Sequence, residues 1–223
     1  MTILRKVDFI NYDGVVSTSR PYRSTLREER ARETRLRIRK SAQLLFTVRG
    51  FPETTIAQIA EEAGVSPQTV YAVFGSKGGI VGEMLEDLEE SAGLDMWVAR
   101  VMAEEDPHRQ LRVFVSWIRT LFEKGAPIMR AALAARNDPD VAALAERGDQ
   151  KRRSGSSRLT QMWSDNGALR ESLQPSDAAE RLWLLTSIEQ YLLATDGLGW
   201  SPDHYEQWLG DLLDVELLEP YAR

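Results

Sequence analysis

The sequence predicts an all-α protein, with a three-helix N-terminal unit joined to a larger helical body. Three observations carry that prediction. Apolar residues recur at spacings of three, four and seven through most of the chain beyond residue 27. No stretch alternates at period two for long enough to make a strand. The breaks between periodic segments fall on Gly, Pro, Asn and Asp, and several are followed at once by a helix-capping residue. The 223 residues make one large domain or two small ones. With 43% hydrophobic and 28% charged residues, a core can be buried.

Residues 1–26 show turn and loop signals, among them Asn11, Asp13-Gly14 and Pro21, and read as a flexible tail. Helical periodicity begins near Arg27 and runs to Arg49, with Ile38, Ala42, Leu45 and Phe46 on one face and Gly50 as the stop. Thr55-Ile56-Ala57-Gln58 has the form of a capping box and opens a second helix, whose narrow apolar face is Ile56, Ile59, Ala60 and Ala63. Gly64 breaks it. Ser66-Pro67 is an N-cap followed by the residue best suited to a first helical position, so a short third helix runs to Phe74. Gly75 ends that helix and Ser76 caps the next. The remaining helices are expected over 77–92, 95–105, 107–124, 126–136, 138–165, 176–195 and 202–218, separated by Gly93, Asp106-Pro107, Gly125, Asp138-Pro139, Asn166-Gly167, Pro175 and the segment Gly197 to Pro202.

Composition excludes several kinds of chemistry. Without cysteine there are no disulfides, thiolate nucleophiles or cysteine metal sites. The two histidines, His108 and His204, read as solvent-facing residues near helix starts, and no metal or cofactor is expected. No nucleophile elbow, phosphate-cradling glycine loop or distinctive carboxylate pair occurs, so no catalytic residue is assigned and an enzyme is not expected. No run approaches 18 apolar residues and the first 20 residues lack an apolar signal core, so the expected setting is the cytoplasm, away from membranes.

The net charge of −6 conceals an asymmetry. Residues 1–78 carry a net of +5 and residues 79–223 a net of −11. Arg20 to Arg49 alone holds ten basic and three acidic residues. A basic head on an acidic body points to a polyanion at one end. Glu28, Glu29 and Glu33 are also spaced to pair with neighbouring arginines, so a solvated, salt-bridged helix is the simpler alternative.

Segment 55–74 decides between them. Two short helices meet at Gly64-Val65, with Ala60 four residues before the glycine and Val70 six after it. That is the spacing of a helix-turn-helix, with a small residue where the helices cross and an aliphatic plug in the angle between them. Pro67, Gln68, Thr69, Tyr71 and Ala72 remain outward on the second helix, side chains suited to base edges and phosphates. An ordinary helical corner would share part of this pattern, but not its combination with the capping box, the Ser-Pro start and a basic helix in front.

Residues 35–80 resemble the N-terminal domain of the tetracycline-repressor (TetR) family. The resemblance rests on Phe46, Gly50 and Phe51, on Thr55, Ile59, Ala60, Ala63, Gly64, Val65 and Ser66, and on Thr69, Val70, Tyr71, Phe74, Ser76 and Lys77. It implies a DNA-binding domain over 32–92 and a ligand-binding and dimerisation domain over 93–223, acting as a homodimeric regulator of transcription on a palindromic duplex operator. The contacts it implies are Thr55 on a phosphate, Ser66 and Pro67 at the start of the reading helix, Gln68 and Thr69 in the major groove, Tyr71 on backbone or a thymine methyl, and Lys77 on a phosphate. Two departures stand out. Ala72 and Val73 are small where larger side chains are common, and Gly78-Gly79 follows Ser-Lys, at a cost of about 1–2 kcal/mol in helix propensity. The glycines either loosen the joint between head and body or permit close packing there.

The resemblance further implies a small-molecule effector that releases the operator, held between helices of the body; a protein partner in that role is the alternative. All six tryptophans lie beyond residue 78, and a largely apolar ligand is expected against Trp97, Phe114, Trp117, Met129 and Trp163. The helix over 176–195 is apolar around much of its circumference and that over 202–218 carries an apolar stripe, so Trp183, Ile188, Tyr191, Tyr205, Trp208, Leu209 and Leu212 are expected at the dimer seam.

Overall fold

The computed structural model describes residues 20–220. Ten α-helices follow one another in the described residues: α1 Arg20–Arg49, α2 Ile56–Ala63, α3 Pro67–Phe74, α4 Lys77–Ser91, α5 Leu94–Ala103, α6 Pro107–Ala134, α7 Pro139–Asp165, α8 Pro175–Leu185, α9 Ile188–Leu192 and α10 Pro202–Leu217. A single π turn, Leu193–Gly197, separates α9 from the approach to α10. The one β feature among the described residues is an isolated bridge between Leu169 and Leu218.

Two apolar clusters organise these helices. In the head, Ile38, Ala42, Leu45 and Phe46 of α1 meet Ile59, Ala60 and Ala63 of α2, Val70 of α3 and Ile80, Val81 and Met84 of α4. Ile128 and Ala131 from the far end of α6 close that cluster. In the body, Leu111, Val115, Ile118 and Phe122 of α6 meet Trp163 of α7, Leu182 of α8, Tyr191 of α9 and Tyr205, Leu209 and Leu213 of α10. Helix α6 is therefore shared: its start belongs to the body core and its end to the head.

Several expectations of the sequence need correction. The tail expected over 1–26 lies outside the described residues up to position 19, and from Arg20 the chain is already helical. Pro21 falls in the first turn, where its missing N–H has no partner to lose. The break expected at Gly125 does not occur, and α6 runs unbroken through Gly125 and Pro127. Gly125 is a contact glycine, not a stop: a Cβ there would lie 2.3 Å from Cδ2 of Leu88, so its absence lets α4 and α6 approach. The expected 176–195 helix is two helices and a π turn. Thr186 turns its hydroxyl back to the Leu182 carbonyl at 2.6 Å, and Ser187 then caps α9 by accepting from the Gln190 N–H. Arg152 of α7 staples this break by donating to the carbonyls of Trp183 at 2.6 Å and Thr186 at 3.3 Å. His108 is buried, not solvent-facing, and its Nδ1 lies 2.7 Å from Asp214 Oδ1 because α10 packs across the start of α6. His204 is exposed as expected and stacks on Trp200, ring centroids 4.3 Å apart.

The two glycines after Ser76-Lys77 serve close packing. A Cβ on Gly78 would lie 2.7 Å from that of Asp140, and one on Gly79 would lie 2.1 Å from the Phe74 carbonyl oxygen. One turn on, a Cβ on Gly82 would meet Leu144 at 3.0 Å. Helix α4 thus lies directly on the start of α7, and Ser76 ties the joint by donating to Asp140 at 2.5 Å.

Candidate nucleic-acid interface

The helix-turn-helix is assembled from local rules that the sequence states openly. Thr55 Oγ1 accepts the Gln58 N–H at 3.2 Å while Gln58 Oε1 accepts the Thr55 N–H at 2.9 Å, a complete capping box. Gly64 takes φ +64°, a left-handed conformation cheap only for glycine. That conformation sends the Val65 N–H back to the Ala60 carbonyl at 2.9 Å. Ser66 then caps α3 by accepting the Thr69 N–H at 3.1 Å. Ala60 and Val70 are both buried in the angle between the helices, as the spacing predicts.

With the turn fixed, α3 presents one face to its own core and the other to solvent. Val70 is inward. Ser66, Pro67, Gln68, Tyr71 and Ala72 are exposed, and Tyr71 has 55% of its surface free. Thr69 is only half-exposed, and its hydroxyl lies 2.9 Å from that of Ser66. The outward hydrogen-bonding side chains left uncommitted on α3 are therefore Gln68 and Tyr71. Thr55 is exposed at the start of α2, where the capping box uses its hydroxyl as an acceptor and leaves the O–H to donate.

Lys77 is placed differently from a free phosphate-binding lysine. Its Nζ donates to the carbonyls of Phe51 at 2.7 Å and Thr54 at 2.8 Å, and stands 4.1 Å from the centroid of the Phe51 ring. Burial lowers its pKa below the ordinary lysine value, against the charges of Asp138 and Glu53 that hold it up. Two of its three N–H donors thus serve the turn between α1 and α2.

Two arginines of α1 brace the head around α3 and α4. Arg35 donates to the Val73 carbonyl at 3.1 Å, stands 5.4 Å from the Phe74 ring centroid and pairs with Glu83 at 2.8 Å. Arg39 pairs with Asp87 and with Glu83. Together they fasten α1 to the end of α3 and to α4. In sequence they are two more arginines in a basic run; only their spacing of four, on the flank of the Ile38–Ala42 core face, sets them apart.

In the body, four of the five residues expected to line a ligand site belong to one apolar cluster, and Trp97 does not. Trp163 is fully buried and donates its Nε1 to Gln110 Oε1 at 2.8 Å. Phe114, Trp117 and Met129 pack at the edge of the body core. Trp97 lies on α5, with the Arg100 guanidinium 4.4 Å from its ring centroid. Of the residues expected at a dimer seam, Tyr191, Tyr205 and Leu209 are buried within their own chain because α6, α9 and α10 close on them. Ile188 and Trp208 pack partly against that core. Leu212 is half-buried on α10, and Trp183 lies under Arg153, 3.7 Å from its ring centroid. Large apolar side chains left open in this region include Leu184 of α8, Leu193 and Leu198 after α9, and Val215 of α10; the Arg181–Glu216 ion pair at 2.7 Å links α8 and α10.

Residues 38–84 match the family model described as bacterial regulatory proteins, tetR family. Over 64 residues the chain is 41% identical to the HTH-type transcriptional regulator TtgR of Pseudomonas putida, an alignment that covers 29% of this chain and 30% of that protein. The chain thus spans less than a third of the length of this curated relative. Across nearly the whole fold it is similar to NalD, the secondary repressor of the MexAB-OprM multidrug efflux pump in Pseudomonas aeruginosa. That similarity has a TM-score of 0.69 and 22% identity, and covers 86% of this chain and 100% of the other. A transcriptional regulator from Saccharomonospora viridis solved in complex with choline superposes with a TM-score of 0.68 at 24% identity, covering 84% and 99% of the two chains.

Proposed function

We propose that this chain, by its N-terminal domain a transcriptional regulator of the tetR family, is a repressor that reads a palindromic duplex operator with α3 and leaves it when a small, largely apolar molecule enters the helical body. One observation carries the DNA reading. The helix-turn-helix is capped at both helix starts and closed by Ala60 and Val70 buried in its angle, while Gln68 and Tyr71 stand exposed on α3 with no structural task. A helix end that a fold has fixed so firmly, and left polar and uncovered, fits a major groove. Thr55 at the head of α2 supplies a flanking phosphate contact.

Two features support an effector in the body. Phe122, Tyr191 and Tyr205 form a continuous aromatic wall, with ring centroids 5.5 and 5.1 Å apart. The buried Tyr205 hydroxyl and the Trp117 Nε1 have no hydrogen-bond partner among the described residues. A ligand of modest polarity would satisfy such groups. The Saccharomonospora viridis neighbour, solved with choline, is a precedent for a small molecule in this fold. Two copies of the chain joined across α8 and α10, with Leu184 and Val215 at the seam, would set two heads on a twofold operator.

The test is selection of duplexes from a random pool, followed by titration of a lipophilic panel against the complex. All tryptophans lie outside the head, so their fluorescence reports on the body. A saturable signal accompanied by an operator affinity about 5–150-fold weaker is expected from a coupling of ~1–3 kcal/mol. A panel that moves neither quantity counts against the effector and leaves the DNA reading standing.

A further inference from the structure

Where the head meets the body, α1, α4 and α6 enclose an open cleft of about 580 Å³. That volume lies within the roughly 300–1,000 Å³ of small-molecule sites. Its floor is apolar. Met84 and Leu88 of α4 and Ile128 of α6 are each less than a tenth exposed, and Leu36 of α1 overhangs them with 44% of its surface open. Gly125 brings α4 and α6 into contact at Leu88, beside this floor.

The rim is cationic. Arg39, Lys40 and Lys124 border the cleft, against Asp87 as the one lining carboxylate. Arg39 and Asp87 neutralise each other by pairing. Lys40 and Lys124 come from different helices, are both exposed, and form no ion pair among the described residues. An apolar trough under two ammonium groups suits one class of ligand. A neutral lipid would gain nothing from the rim, a cationic amphiphile would be repelled, and a small dianion would leave the floor unused.

We propose that this cleft binds an anionic amphiphile, its acidic group between Lys40 and Lys124 and its chain along Leu36, Met84, Leu88 and Ile128. The site is separate from the aromatic wall in the body. Its α1 and α4 walls belong to the head, and its α6 wall is the end that reaches into the head from a helix whose start is buried in the body core, so an occupant bears on the joint between the two and biases how they sit. It is a second route by which a small molecule reaches the reading head.

The test uses the full chain without DNA, so its failure is distinct from failure of the operator reading. Decanoate below its micellar concentration is titrated calorimetrically, beside decyltrimethylammonium and decanol. One saturable site per chain is expected for decanoate, with binding weaker by at least about tenfold for the cationic and neutral chains. Lys40→Glu with Lys124→Glu should lower decanoate affinity by a similar factor, while Lys40→Arg with Lys124→Arg should retain it. Should the reversed pair fail to fold, the exposed single change Lys124→Glu and the comparison of head groups on the unaltered chain still decide. Absence of saturable decanoate binding, equal binding of the three chains, or binding indifferent to charge reversal each overturns the proposal.

Discussion

At the scale of single residues, the head separates side chains that build it from side chains it displays. Lys77 and Tyr71 are the clearest pair. Lys77 donates to two carbonyls and covers the Phe51 ring, so Lys77→Ala should cost about 1–3 kcal/mol of stability, the value of charge-assisted hydrogen bonds in a partly exposed setting. Tyr71 touches none of this, and Tyr71→Ala should stay within about 0.5 kcal/mol of the parent. Urea unfolding monitored by far-ultraviolet circular dichroism distinguishes the two; equal midpoints would mean that Lys77 does not hold the α1–α2 turn. The motif makes both residues candidates for DNA contact, and nothing in sequence separates them. The distinction arises because Phe51 and Thr54 turn their carbonyls toward the start of α4, which only the folded head reveals. Thr55, Gly64 and Ser66, by contrast, were fully legible, because a capping box and a left-handed turn are properties of four adjacent residues.

At the scale of elements, glycines report on contact more than on termination. Gly79→Ala would drive a methyl group into the Phe74 carbonyl and should destabilise the α3–α4 joint by about 1–3 kcal/mol. Gly148→Ala in α7 meets nothing within 4 Å and should raise stability by about 0.4–1 kcal/mol. Thermal unfolding of the two variants should therefore move in opposite directions, and a shared sign would refute the packing role of Gly79. The same distinction explains why the expected end of a helix at Gly125 was misplaced: a glycine that stops a helix and one that admits a neighbour look alike until the neighbour is known. The break at Thr186-Ser187 has a signal, since Ser187-Ile-Glu-Gln190 repeats the Ser-x-x-Gln pattern of a helix start, but it lies inside a continuous apolar run that has the period of a single helix. The π turn that follows is tied to α6 by a two-pronged pair, Arg130 to Asp196 at 2.8 and 2.7 Å. Arg130 hydrogen bonds lower the Asp196 pKa below its ordinary value near 3.8. A lowered carboxyl stabilises the fold above the unfolded value and loses that contribution as pH falls through the folded one. Both partners are about half-exposed, so Asp196→Asn should cost only ~0.2–1 kcal/mol at pH 7, and the difference should fade below about pH 4. A cost that persists unchanged in acid would assign it to packing.

At the scale of the whole molecule, charge and architecture divide in the same place. The basic α1 and α3 form one end, the acidic body the other, and α6 runs from one core into the other. Fold class and the position of the helix-turn-helix were legible because each rests on local periodicity and capping. An effector site or a dimer seam is not legible in the same way, since each depends on which apolar faces the chain covers for itself. Tyr191, Tyr205 and Leu209 have the spacing of a seam and are consumed by the body core, whereas Leu184 and Val215 remain open. Sedimentation should accordingly give a dimer near 50 kDa for a chain of 25.2 kDa, and Leu184→Glu with Val215→Glu should give a folded monomer. A parent that sediments as a monomer at micromolar concentration would remove the twofold arrangement. The most direct measurement is fluorescence anisotropy of the parent chain and of Gln68→Ala and Tyr71→Ala on a duplex selected from a random pool. The expected result is an enriched palindrome, bound with affinity reduced by about 1–3 kcal/mol in each variant while their unfolding midpoints hold. No enrichment over random duplex, or equal binding by all three proteins, would contradict the assignment of α3 as the reading helix.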